Sequence, residues 1–208
     1  MTEHYIDLAP GLHGALNWPG DARDGVLLVD GSAGVRDLER QRFIAGYLQR
    51  RQLGTLRLEP AADAPPGPRV ADGPAVARLA HRLIKALAWV GREPRLQGRP
   101  VAVFGMGAGA AAAFACAAEQ PARIGALVCV AAPLDLVEAD VARVQAPTLL
   151  VVGGLDAGLL EVTRAAYRRL SGEKRLEVVP RATRLFEEAG ALERVALAAA
   201  DWVGTHLA

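Results

Sequence analysis

The stretch that decides the fold runs from Pro100 to Gln120 and reads PVAVFGMGAGAAAAFACAAEQ. Pro100–Gly105 is a short run of apolar and β-branched residues with no polar alternation, the pattern of a strand covered on both faces. A glycine-rich turn, Gly105-Met106-Gly107-Ala108-Gly109, follows at once, and an alanine-rich helix, Gly109–Gln120, begins out of it. Working outward, the same strand–helix alternation recurs in both directions. Strand-like runs fall at Gly25–Asp30, Gly54–Leu58, Gly125–Ala131, Pro147–Gly153 and Arg175–Val179. Helical stretches separate them at Val35–Arg50, Gly73–Val90, Gly158–Leu170 and Gly190–Trp202. Connections of that length suit right-handed parallel crossovers.

Two weaker runs, His4–Leu8 and Gly14–Asn17, flank Pro10-Gly11 and predict an antiparallel hairpin at the sheet edge. The proline-rich segment Pro60–Pro74 falls inside the repeating pattern and reads as a surface loop rather than a linker. The expected architecture is an α/β domain, doubly wound, with a mostly parallel sheet and helices on both faces. It spans residues 1–208 as one domain, residues 1–20 forming the edge hairpin.

Composition narrows the function classes. The chain is 51% hydrophobic and 23% charged with a formal net charge of +1, so no basic stripe favours nucleic acid. The longest low-polarity run, Gly105–Ala118, is too short to cross a bilayer, so no membrane is expected as partner. Met1–Leu8 carries Glu3, His4 and Asp7 and does not read as a signal peptide, which predicts a cytoplasmic protein. Cys116 and Cys129 lie in apolar runs and read as buried hydrophobes, not a disulfide framework. The acidic groups Glu187-Glu188 and Asp135, Glu138, Asp140 have no His or Cys at ligand spacing. They read as solvated charges, and neither a metal nor a cofactor is expected.

Sites in open parallel sheets form where loops leave the carboxyl ends of the strands. At the first of these, strand, tight glycine turn and helix make the setting of a G-x-S-x-G nucleophile elbow. The central position, where Ser or Cys belongs, is Gly107. After the run Thr148–Gly153, Asp156 stands where a triad acid would sit. In the turn after the last strand, where the histidine should fall, the residue is Arg184. A guanidinium stays protonated at neutral pH and cannot act as general base.

At these residues the chain resembles the small dienelactone-hydrolase-like branch of the α/β-hydrolases, which includes hydrolase domains fused to phosphoribosyltransferases. The likeness spans Gly25 to Val203. Asp30-Gly31-Ser32-Ala33-Gly34 is similar to the family's H-G-S-G, and Phe104–Gly109 to F-G-x-S-x-G. Ala146–Asp156, APTLLVVGGLD, and Ala182–Ala196, ATRLFEEAGALERVA, complete it; active relatives read A-T-H-L-F-E-E-P-G-A-L-E in the last block. The resemblance implies the triad positions Gly107, Asp156 and Arg184, of which Asp156 alone matches. It also puts Asp30 in place of the oxyanion-loop histidine, where a carboxylate opposes a developing negative charge.

The expected function is therefore a catalytically degenerate hydrolase. Loss of nucleophile and base together costs on the order of 10⁶ in rate in a serine protease. A small anionic ligand is expected at a corner made of Asp30, Gly31, Ser32, Met106, Ala108 and Arg184. For Arg184 itself the simpler expectation is an ion pair with Asp156. Partners of a degenerate copy would be a second copy or an intact hydrolase relative. With no long insertion between Ala132 and Ala146, a large lid is not expected. One alternative is hydrolysis of small esters or lactones through Ser32 or Cys116, although His4, His13, His81 and His206 are not placed to activate them. Another is a dinucleotide, because Gly105-x-Gly107-x-x-Ala110 satisfies G-x-G-x-x-G/A. Its ribose carboxylate is missing, the nearest acid being Asp135.

Overall fold

The computed structural model describes residues 3–31, 35–60, 71–96 and 98–207. Ser32 and most of the Pro60–Pro74 segment lie outside them. Strands β1 (His4–Ala9) and β2 (Leu12–Asn17) form the expected hairpin, and Gly11 takes φ +69° in its turn. There follow β3 (Gly25–Asp30), α1 (Val35–Arg50), β4 (Gly54–Leu58) and α2 (Gly73–Val90). The centre of the chain supplies β5 (Val101–Met106), α3 (Ala108–Glu119), β6 (Ile124–Val130) and a short α4 (Glu138–Val141). The last third holds β7 (Thr148–Gly153), α5 (Ala157–Arg169), β8 (Lys174–Val179) and α6 (Ala191–Leu207).

The eight strands are ordered β1-β2-β4-β3-β5-β6-β7-β8; β1 and β2 are antiparallel to their neighbours and the rest run parallel. This is the α/β-hydrolase arrangement expected from the sequence. Every residue of β5 and β7 is buried, which is why those runs show no polar alternation. One core lies beneath α2 and α3 and contains Leu83, Phe114 and Leu127. The other lies beneath α1 and α6 and contains Leu28, Ile44, Phe104 and Val203. Among the described residues no helix is long and apolar enough to cross a membrane.

Two details depart from the sequence reading. The β6–β7 connection coils into a 3₁₀ turn (Leu134–Val137) and α4, because Leu134, Val137 and Val141 bury themselves against the core. Helix α6 continues past Trp202 to Leu207, since Val203 and Leu207 extend its apolar face.

At the hairpin edge the structure buries a charge. Arg57, in β4, is 1% exposed, and its Nε and Nη2 donate to Glu3 Oε1 at 3.1 and 2.6 Å. Glu59 Oε1 lies 3.5 Å from the same Nη2. Removing one member of such a group leaves the others uncompensated in a poorly solvated place. Arg57→Ala is expected to lower stability by about 3 kcal/mol, read from the guanidinium unfolding midpoint.

Candidate active site

The turn from β5 into α3 is dictated by how closely the helix start approaches the sheet. A Cβ on Gly105 would stand 2.5 Å from Ala110 Cα, and one on Gly109 would stand 2.6 Å from the Val29 carbonyl oxygen. Across the turn, a Cβ on Gly31 would lie 2.5 Å from Ala108 Cβ. None of these three positions has room for a side chain. Gly107 is different. Its backbone has φ +54° and ψ −127°, its N–H donates to Val130 O at 3.0 Å, and a Cβ there would meet nothing within 4 Å. The backbone thus holds residue 107 in the strained conformation of a nucleophile elbow, with open space where a nucleophile side chain would project.

The acid position is also formed. Asp156 caps α5, its Oδ1 accepting the Leu159 N–H at 3.1 Å. Its Oδ2 accepts from Arg184 Nε at 2.7 Å. Arg184 reaches it because the chain after β8 folds against the end of β7. A Cβ on Gly153 would fall 2.4 Å from Thr183 O, and Leu155 N–H donates to Ala182 O at 2.9 Å. The turn that carries Arg184 is pinned twice more: Phe186 is 2% exposed, and Glu188 Oε1 accepts the Thr183 N–H at 3.0 Å. Glu188, read from the sequence as a solvated charge, also satisfies a backbone donor of this turn. At the outer side Arg36, at the start of α1, lies 3.5 Å from Glu187.

The Asp156–Arg184 ion pair is the arrangement expected for these two residues. Partial burial acts to raise the Asp156 pKa, but the hydrogen bonds from Arg184 and Leu159, with the Arg184 charge, outweigh it. The net result holds the carboxyl below its ordinary 3.8. The acid stays ionised at neutral pH and faces a cation that cannot relay a proton.

The other expected site residues divide. Asp30 is half-buried at the end of β3 and Gly31 follows it beside Ala108. Met106 is 5% exposed and packs in the α1/α6-side core, so its side chain is a core element rather than a lining of the opening. Cys116 is fully buried, and desolvation, with the nearby Glu119 charge, pushes its thiol up to about 12. That excludes it as the nucleophile proposed in the alternative route. The histidines are remote, as expected. His13 pairs with Asp7 on the hairpin, and His81 is exposed on α2. His206 sits at the far end of α6, its ring 4.0 Å from Trp202 and its Nε2 3.2 Å from Glu173.

Nor does the dinucleotide pattern find its second half. Strand β6 runs into buried Ala131 and Ala132, and Asp135 is exposed in the 3₁₀ turn. The glycines of the fingerprint are explained by the steric limits at 105 and 109. No group of three potential metal ligands occurs among the described residues.

Two measurements check this geometry. Gly109→Ala is expected to cost about 1–3 kcal/mol, because its neighbours are backbone atoms that cannot move aside. Arg184→Ala is expected to cost at most about 1 kcal/mol at pH 7, since Arg184 is largely exposed. A depressed carboxyl pKa stabilises the fold above its unfolded value and loses that contribution as pH falls through the folded value. The cost of Arg184→Ala should therefore hold from neutral pH down to about pH 4 and shrink away only as the pH falls further, through the depressed Asp156 value, read from paired urea titrations.

Against this geometry, comparisons with known proteins agree. No protein-family model matches the chain. The crystal structure of a dienelactone hydrolase from Anabaena variabilis superposes with TM-score 0.89 at 32% identity, over 100% of this chain and 99% of that one. Est1E from Butyrivibrio proteoclasticus shares the fold with TM-score 0.80 at 15% identity, over 98% of each chain. A Mycobacterium tuberculosis protein that carries the name phosphoribosyl transferase is 37% identical over 194 residues, 93% of this chain. The chain spans 44% of that relative's length. With the eight-stranded topology and the elbow in place, the chain belongs to the dienelactone-hydrolase-like branch of the α/β-hydrolases.

Proposed function

We propose that this protein is a hydrolase-fold member that has given up acyl transfer and keeps its site for binding. The observation that carries the reading is the pairing of an intact elbow backbone at Gly107 with an empty side-chain position. A triad needs an attacking atom, a base that takes its proton, and an acid that orients the base. Here the first is missing. The second is a permanent cation, and the third is tied to that cation by the 2.7 Å contact.

The ligand class favoured by this arrangement is a small anion, above all a carboxylate. Arg184 uses its Nε on Asp156, which leaves the Nη1–Nη2 edge of a largely exposed side chain available for a ligand. That edge matches two carboxylate oxygens. The reading includes a single cytoplasmic domain that associates with a second copy or with an intact hydrolase relative. The greater length of the curated relative supports a role beside another functional unit.

The test is to rebuild the triad. Gly107→Ser has room for its side chain and is expected to cost about 1–3 kcal/mol through its positive φ. Combined with Arg184→His, it places serine, histidine and Asp156 on the elbow, the pinned turn and the α5 cap. The expected outcome is hydrolysis of a nitrophenyl acetate by the double variant and none above background by the native protein. Turnover by the native protein, undiminished in Gly107→Ala, would reject the loss of catalysis.

A further inference from the structure

A second polar site lies outside the elbow, on the α1 side of the sheet. Residues Leu56 and Leu58 of β4 face the α2/α3 core, so Thr55, Arg57 and Glu59 alternate onto the opposite face, beneath α1. The position of α1 over β4 is fixed at one end by Gln49 Nε2, which donates to Thr55 Oγ1 at 2.7 Å. Because α1 joins two parallel strands, it runs against the direction of β4. Eight residues back along the helix, from Gln49 to Gln41, cover about 12 Å. Four residues forward along the strand, from Thr55 to Glu59, cover about 13 Å. Gln41 is thereby level with Glu59, on the same sheet-facing stripe as Ile44 and Leu48.

On these three residues one atom each is buried without a hydrogen-bond partner among the described residues: Gln41 Oε1, Arg57 Nη1 and Glu59 Oε1. Gln41 is 6% exposed and Arg57 is 1% exposed. The 3.5 Å separation of Arg57 Nη2 from Glu59 Oε1 keeps two of the three within one small volume. A buried polar atom left unpaired is destabilising, and native proteins pair such atoms with protein or with ordered water.

We propose that these three atoms bind one buried water molecule, which fastens the N-terminal half of α1 to the end of β4. The donor set selects the ligand. A cation is repelled by the Arg57 guanidinium and an anion by the Glu59 carboxylate. A neutral molecule that donates to Gln41 Oε1 and Glu59 Oε1 and accepts from Arg57 Nη1 satisfies all three. Water does this with three hydrogen bonds, the usual number for an interior water. The site adjoins the end of β3, whose last residue, Asp30, begins the loop that packs on Ala108. It is independent of whether residue 107 ever carried a nucleophile.

A high-resolution crystal structure of the native protein tests this directly. The expected result is a density peak within about 3.2 Å of Gln41 Oε1, Arg57 Nη1 and Glu59 Oε1 together. A dry site, a direct Gln41–Arg57 hydrogen bond, or a peak at metal-ligand distances overturns the proposal. Gln41→Leu, similar in size but without the acceptor, should abolish the peak and lower Tm by roughly 3–8 °C. An unchanged or raised Tm also overturns it, because the three atoms would then need no bridging partner. Should Gln41→Leu fail to fold, the native density decides.

Discussion

A methyl group on Gly109 would sit 2.6 Å from the carbonyl oxygen of Val29, and one on Gly105 would sit 2.5 Å from the Cα of Ala110. This approach of the α3 backbone to the ends of β3 and β5 is the constraint on which the site depends. It forces the chain through a left-handed turn at residue 107, and it sets that residue at the top of the central strand. It also brings the loop after β3 against Ala108, because Gly31 offers no side chain to hold the two apart. The scaffold for a nucleophile is thus a packing solution that survives without one.

The other half of the site rests on a different interaction. Gly153 lets the 182–184 backbone lie against the end of β7, and Phe186 and Glu188 fix the turn beyond it. Whatever side chain occupies position 184 is therefore delivered to Asp156. A histidine there would receive an oriented partner for its ring, whereas arginine completes an ion pair and ends the relay. Asp156 keeps two structural duties, capping α5 and balancing Arg184, and either is a reason for an acid to persist without catalysis. Such a pair contributes little net stability at the surface but avoids leaving a partly buried carboxylate alone.

Much of this was legible in the residues. The apolar runs ending in Asp30, Gly105 and Gly153 identified interior strands, since a strand buried on both faces has no polar positions to spare. The Pro10-Gly11 break gave the edge hairpin. Gly107, Asp156 and Arg184 could be placed by following strand ends, and the Asp156–Arg184 pair followed from charge alone. Three things were not legible. Met106 was expected at an opening, yet pleat alternation carries its side chain into the core. Glu188 carries no local mark of its bond to Thr183, which exists only once the turn closes. The buried guanidinium of Arg57 stands in a run, GTLRL, whose pattern reads like any strand with one solvated face.

The division has a physical cause. Backbone requirements write themselves into sequence at short range: a glycine where no Cβ fits, an apolar run where both faces are covered, a proline and glycine where the chain reverses. By itself the sequence therefore determined the sheet, its order of elements and the fact that residue 107 has nothing to attack with. Side-chain partnerships between distant segments depend on which atoms the fold brings within about 3 Å of one another. Tertiary structure alone decided that position 107 retains an open seat, that Arg184 is held on Asp156 by a pinned turn, and that the Arg57 guanidinium is buried against Glu3 and Glu59.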